Sequence, residues 1–323
     1  MAGAVSIALA TCNGERFLPE FLNSLCAQGR LPQELVACDD ASSDDTLPIL
    51  EGFSERSPFP LRIFYNTTRV GVVENFSKAV SRCTGEWIAL ADQDDVWRED
   101  KLIRLLEAVE RPGVMAAFSN ADLVGPDLER LGYTVWQQVG LSEGWRKQFD
   151  RDRPLKVLFR EPVVTGATLM FRRDLLPAIL PIPHSWVHDG WISQIAASQG
   201  KIVAVPESLI LYRQHGGNLI GSRKLSTAQQ IRRARKIGRL GIIERESRRY
   251  TDLLDRLNGF PETRRTRQME ALCRRKLAHL QRREALPKNR LLRVPTVLAE
   301  LLNGNYRDFS KDWRRPAVDL LFP

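Results

Sequence analysis

The sequence predicts an α/β protein: a mostly parallel sheet with helices on both faces, followed by a basic α-helical C-terminal region. Three observations carry that prediction. Apolar strand-like runs alternate with amphipathic helical stretches through the first hundred residues, at the spacing of βαβ units. Polar clusters recur at the C-terminal ends of those runs, the edge where open α/β sheets bind ligands. From residue 222 the alternation stops and the charge changes sign. Residues 222–323 carry 26 Lys and Arg against 11 Asp and Glu, net +15, and the remaining 22 and 28 fall in residues 1–221, net −6. The expected division is an α/β body over 1–221 and a basic helical region over 222–323.

The 323 residues, 43% hydrophobic and 27% charged, suffice for a substantial core in one large domain with an appendage or in two modest domains. No uninterrupted apolar stretch approaches the length of a membrane-crossing helix. Met1 to Leu9 lacks a basic n-region and runs straight into a strand pattern, so no signal peptide is expected. Five cysteines, Cys12, Cys26, Cys38, Cys83 and Cys273, are odd in number and lack metal-ligand spacing. That fits a reduced cytoplasmic protein without a zinc site.

In chain order, Val5 to Ala10 reads as the first strand, and Thr11-Cys12-Asn13-Gly14 as a turn into a helix with apolar Phe17, Leu18, Phe21, Leu22 and Leu25. A second strand, Glu34 to Cys38, ends on Asp39-Asp40, and Ser43 or Asp44 is placed to cap the next helix. A third strand, Leu61 to Tyr65, leads through Asn66 to Arg69 into a helix over 72–82. The fourth, Trp87 to Ala91, stops abruptly at Asp92-Gln93-Asp94-Asp95, and a helix over 98–110 follows. Clustered carboxylates repel one another, so three in four positions at the mouth of a sheet point to a hard divalent cation that can hold substrate phosphates. The competing reading is a solvated acidic turn. With no Walker loop and no GxGxxG, a metal rather than a glycine cradle is the expected phosphate holder.

A further strand, Val114 to Ser119, precedes a long irregular stretch to about Asp152 containing Trp136, Trp145 and Phe149, which either stack on sugar rings or pin the loop to the core. Val163 to Phe171 reads as a strand in which Gly166 permits close backbone approach. Asp189, in His188-Asp189-Gly190-Trp191, precedes a helix over 192–198, near a positive helix end that keeps a carboxylate ionised. It either serves chemistry or caps the helix. After a strand over 201–205, the run from Leu209 to Tyr212 ends in Arg213-Gln214-His215-Gly216-Gly217-Asn218, where His215 either reaches a metal or is an ordinary surface histidine. Beyond Ser226, Ile231, Ala234, Ile237, Leu240, Ile243, Tyr250, Leu253, Leu254 and Leu257 mark one long amphipathic helix, with Gly238 and Gly241 as candidate breaks. Helices over 262–284 and from Pro295 to before Gly304 follow. The basic faces of this tail either form a solvated surface or, with Trp313 and Phe322, hold the protein on an anionic membrane.

These motifs, in this order, resemble the family 2 glycosyltransferases of the GT-A (Rossmann-like) fold, and more narrowly the bacterial rhamnosyltransferase-like members. The matching stretches are Ser6 to Glu15, Asp39 to Asp44, Leu90 to Trp97, His188 to Trp191 and Tyr212 to Asn218, covering about residues 4–221. Cys12, where an aromatic is common, and Gly190, where a bulky residue often follows the acid, depart from the pattern. The resemblance implies a nucleotide-sugar-binding and catalytic domain over 1–221. Thr11, Asn13, Glu15 and Asp40 would contact the base and ribose of a dTDP- or UDP-sugar, and Arg69 the diphosphate or base. Asp92 and Asp94 would form the DxD motif, with Asp94, Asp92 and His215 toward Mg²⁺ or Mn²⁺ and Asp95 nearer the donor sugar. Asp189 would be the general base of an inverting transfer. The implied activity moves L-rhamnose from dTDP-L-rhamnose to a lipid-linked or polysaccharide acceptor in O-antigen or capsule synthesis, peripherally at the inner face of the cell membrane, with no nucleic-acid partner. The rivals are a UDP-sugar donor with another glycan or protein acceptor, and a non-catalytic nucleotide-binding protein with a membrane- or nucleic-acid-binding tail.

Overall fold

The computed structural model describes residues 3–215 and 227–321. The chain divides into two compact units, residues 1–152 with 163–221 and residues 153–162 with 222–323. Its strands are β1 (Val5–Thr11), β2 (Glu34–Asp39), β3 (Leu61–Tyr65), β4 (Trp87–Asp92), β5 (Val96–Trp97), β6 (Val114–Val124), β7 (Arg130–Thr134), β8 (Leu169–Arg172) and β9 (Lys201–Arg213). The helices begin with α1 (Leu18–Cys26), α2 (Thr46–Ser54), α3 (Val72–Ser81), α4 (Lys101–Val109), α5 (Val135–Val139) and α6 (Glu143–Asp150). They continue with α7 (Leu155–Leu158), which belongs to the second unit, α8 (Leu176–Ile179) and α9 (His188–Gln199).

In the first unit all strands join one sheet in the order β3-β2-β1-β4-β8-β6-β9-β5, with β7 against β6. Strands β1 and β2 are apolar almost throughout because both faces of the sheet are covered; Ile7, Leu9, Leu35 and Ala37 are fully buried. The pairs β3-β2, β2-β1 and β1-β4 are parallel. The chain runs outward from β1 to β3 and returns on the other side of β1, so the strand order reverses between β1 and β4, the point where such sheets open a binding crevice. Beyond β4 the sheet is mixed: β8 runs antiparallel to both β4 and β6, whereas β6 and β9 are parallel.

The stretch from 120 to 152, expected to be irregular, is instead ordered. Strand β6 continues to Val124, β7 pairs back on it, and α5 and α6 follow, with Thr134 and Gln137 forming a capping box. Two of its three aromatics serve the core: Trp136 and Phe149 are buried, with ring centroids 5.8 and 5.1 Å from that of Phe118, whereas Trp145 is half-buried. The strand expected over 163–171 is only β8, preceded by a 3-10 turn at Gly166–Thr168. The helix expected over 192–198 starts earlier, as α9, and carries Asp189 in its first turn.

The second unit contains α7, α10 (Thr227–Leu257), α11 (Arg264–Glu284), α12 (Val294–Leu302), α13 (Asn305–Phe309) and α14 (Arg315–Leu321). Helix α10 runs unbroken past both glycines. Phe159, Tyr250, Leu253, Leu257, Met269, Cys273 and Leu280 are buried in it. So are many charges. Arg283 Nε donates to Asp319 (2.6 Å), which also accepts from the Tyr306 hydroxyl (2.8 Å), and Lys276 Nζ donates to the Phe159 carbonyl (2.8 Å). Part of the tail's basic composition therefore serves internal pairing, since a buried charge persists only when paired and hydrogen-bonded. The Gly216-Gly217-Asn218 turn, the side chains of Ile231, Ala234 and Ile237, and Phe322 lie outside the described residues.

Candidate active site

At the reversal between β1 and β4 lies a crevice of about 340 Å³, lined by Thr11, Asp40, Arg69, Asp92, Asp94, Asp189 and His215 among others. Seven of the expected site residues therefore share one cavity. Asn13, Glu15 and Asp95 do not line it. Asn13, at φ +49°, accepts from the Ser43 amide (2.9 Å), and Glu15 accepts from the Asp45 amide (3.1 Å). Both brace the turn after β1 against the turn after β2. Asp95 is buried, one oxygen accepting from the Arg213 amide (3.1 Å) and the other without a hydrogen-bond partner among the described residues.

Asp40 organises the rim. Its carboxylate accepts from the amides of Val70 (2.7 Å) and Gly71 (2.8 Å) and from Asn66 Nδ2 (3.1 Å). Gly71, at φ +88°, supplies a backbone conformation that few L-residues adopt, which turns two successive N–H groups onto one carboxylate. Of a carboxylate's roughly four acceptor sites, about one remains for a ligand. Arg69, next in line, stands exposed at the rim. Thr11 is buried and donates to Asp39 Oδ2 (2.9 Å). Asn75 on α3 donates to the carbonyls of Cys38 (2.8 Å) and Thr11 (3.3 Å), tying α3 to the ends of β1 and β2.

The acidic turn is held from both sides. Gln93, between the two aspartates, pairs with the Cys12 backbone through both its oxygen and its nitrogen at 2.9 Å. Asp94 Oδ2 lies 2.8 Å from His215 Nε2, while Arg213, buried beneath, donates from Nε to the Asp94 carbonyl (2.7 Å) and pairs with Glu20. Burial, then the charges of Asp94 and Asp189, push the Asp92 carboxyl up to about 7; Lys101 opposes them. Lys101 is fully buried at the start of α4, its Nζ 2.8 Å from the Ala167 carbonyl and 3.1 Å from the centroid of the Trp97 ring. A cation at a helix N-terminus opposes the helix dipole, so its place is set by the carboxylates around it.

Asp189 projects from the first turn of α9. One oxygen accepts from the Gly190 amide (2.6 Å) and the other from the Gly166 amide (3.1 Å). Close approach of the Gly166 loop requires the glycine, because a Cβ there would lie 2.7 Å from His188 Nε2. His188 does not orient Asp189. Its ring stacks on Phe76 at 4.1 Å, both nitrogens are buried without hydrogen-bond partners among the described residues, and burial holds its pKa below the usual value despite Asp189.

Among the described residues no three His, Cys, Asp or Glu side chains form a ready cage for a metal. The crevice nevertheless fits a hard cation. Asp94 with His215 provides oxygen and nitrogen donors, and Asp92 lines the same crevice two residues away. Mg²⁺-type sites commonly take one or two carboxylates and complete their shell with water and substrate phosphate.

The family described as Glycosyl transferase family 2 matches residues 6–180. An uncharacterized glycosyltransferase of Nostoc sp. is 28% identical over 70% of this chain and 69% of its own length. The dTDP-rhamnosyl transferase RfbG of Shigella flexneri is 24% identical over 66% of this chain and 74% of its own. Across the first curated relatives the match spans 59% to 69% of their length. The fold is shared with S. aureus TarS 1-349, solved in complex with UDP-GlcNAc, at a TM-score of 0.59 and 18% identity over 98% of this chain and 80% of that one.

Proposed function

The chain belongs to glycosyl transferase family 2, and on that premise we propose that it is an inverting, divalent-metal-dependent enzyme. It moves a hexosyl group, L-rhamnose from dTDP-L-rhamnose, to a lipid-linked glycan acceptor of bacterial surface polysaccharide at the inner membrane face. The observation that carries the reading is the convergence, in one crevice at the strand reversal, of Asp92 and Asp94 with Asp189 on the first turn of α9. In the proposed step Asp189 takes the proton of the acceptor hydroxyl as its oxygen bonds to C1 of the sugar. The C1–oxygen bond to the diphosphate breaks, and the nucleoside diphosphate leaves with the electron pair. Backbone amides at Gly166 and Gly190 hold the Asp189 carboxylate in place. Asp94 and His215, with Asp92, would hold Mg²⁺ or Mn²⁺, whose charge offsets that of the departing diphosphate. Asp40 and Arg69 at the rim would meet the base and diphosphate, and Asn13 and Glu15 would act by bracing that rim. Asp95 would act from beneath the DxD turn.

The rhamnosyl choice draws on the relationship to RfbG, and a UDP-sugar donor is favoured instead by the fold shared with TarS. Thermal shifts with dTDP, UDP, GDP and CMP, each with and without Mn²⁺, separate them. A ligand at a hundred times its Kd stabilises the native state by about 2.7 kcal/mol. Stabilisation by dTDP over UDP, dependent on Mn²⁺, is expected; a response to UDP alone would move the assignment to UDP-sugars, and none to any nucleotide would defeat it.

A further inference from the structure

The second unit carries an apolar face that its own packing does not explain. Helix α12 buries Val297 and Glu300 on one side, Val297 packing with Leu286 and Tyr306. On the other side Val294, Leu298, Leu301 and Leu302 recur at helical spacing and are exposed, with Leu291 and Leu292 just ahead of them. Leu291 is 79% exposed, Leu292 62%, Leu298 52% and Leu302 88%. Of the nine exposed residues between Leu291 and Asn303, eight are apolar and none is charged, in a chain where charged residues make up 27%. A merely solvated helix face would not have that composition.

The chain on either side of this face is net positive. Lys288 and Arg290, immediately before it, are exposed, and neither is ion-paired among the described residues. Residues 286–315 hold seven Lys and Arg against three Asp and Glu, of which Glu300 is buried against His279. Later in the same unit Trp313 is 84% exposed. An apolar helical stripe, a basic approach and an exposed indole are the composition of a helix that lies in a membrane interface, its leucines among acyl chains and its lysine and arginine at anionic headgroups. Self-association fits less well. A two-fold interface sets the same patch against itself, which would bring the unpaired Lys288 and Arg290 of both copies toward each other.

We propose that the Leu291–Leu302 face of α12 is a membrane-docking surface that inserts its leucines into a bilayer containing anionic lipid. This rests on the glycosyltransferase reading only for its purpose, delivery of the enzyme to a lipid-linked acceptor. The binding itself is measured without donor or acceptor.

The test is flotation of the full-length protein with vesicles of phosphatidylcholine alone or with about one-third phosphatidylglycerol. Wild type is expected to float with the anionic vesicles, less so in high salt. Leu298→Glu/Leu302→Glu should weaken binding by about tenfold or more, and Lys288→Glu/Arg290→Glu should remove the preference for anionic lipid. A milder pair, Leu291→Ser/Leu302→Ser, should give a smaller loss in the same direction. All are exposed positions outside the crevice, so melting temperature and nucleotide-induced thermal shifts should match wild type. Undiminished flotation of the glutamate pair, or no flotation of wild type, would overturn the proposal. So would light scattering showing that the glutamate pair splits a dimer while vesicle binding is unchanged, since the face would then join two copies.

Discussion

At the scale of single residues, a buried lysine underlies the crevice carboxylates. Lys101 is fully buried beside Asp92 and Asp95, and removing one member of such a group strands the others without a counter-charge. Lys101→Met, close in volume, is expected to destabilise the protein by about 3–5 kcal/mol in urea unfolding at pH 7. A loss under 1 kcal/mol would show that the carboxylates are balanced elsewhere. Lys101 does not stand out in the sequence, because a lysine at the start of an amphipathic helix ordinarily faces water. A signal was present: Leu105 and Ala108, four and seven residues on and so on the same face of α4, are both buried. The carboxylates themselves were legible, because Asp39-Asp40 and Asp92-Gln93-Asp94 follow directly on apolar runs. Gln93, in the turn after β4 and between the two aspartates, carries no pattern that would single it out, yet its amide holds the Cys12 backbone.

At the scale of elements, the parallel β3-β2-β1-β4 half could be read from its regular strand–helix alternation, whereas the mixed half could not. Strand β8 is four residues long and enters between β4 and β6 from far along the chain, a placement fixed by tertiary pairing rather than by local pattern. The tail helices were legible as helices, but not as holders of buried charge. Between α11 and α12, His279 Nδ1 lies 2.5 Å from Glu300, which also accepts from Asn305 and pairs with Arg282; Arg283 and Asp319 lie nearby. Burial first, with Arg283 adding and Glu300 opposing, lowers the His279 pKa to about 4 from 6.5. Burial would raise the Glu300 carboxyl, but hydrogen bonds from His279, Asn305 and Arg282 bring it below its usual value. A group whose pKa is depressed by folding contributes stability that is present above its unfolded pKa and lost as pH falls through the folded one. Stability should therefore decline between pH 6.5 and about 4, and His279→Gln should flatten that decline. Urea midpoints across this range check it; an equally steep decline in the variant would assign the acid sensitivity to other groups.

At the scale of the whole molecule, sequence reasoning reached the family and the crevice because both rest on short motifs at strand ends, which constrain local geometry. The lipid-facing role considered for the tail came from its arginines and from Trp313 and Phe322. The apolar face of α12 carries it further, and that face is visible only once burial separates Val297 and Glu300 from Leu298 and Leu302. What unites these parts is the claim that Asp189 removes a proton from an acceptor while the acidic turn binds the donor. Its most direct test is Asp189→Asn, which keeps size and shape, assayed for sugar transfer and for nucleotide binding in Mn²⁺ on the same preparation. Loss of a general base costs about 10²- to 10⁴-fold, so transfer should fall by that range while nucleotide affinity and melting temperature stay near wild type. Transfer within about twofold of wild type, in a variant that still binds nucleotide, would contradict the assignment of Asp189 as the base.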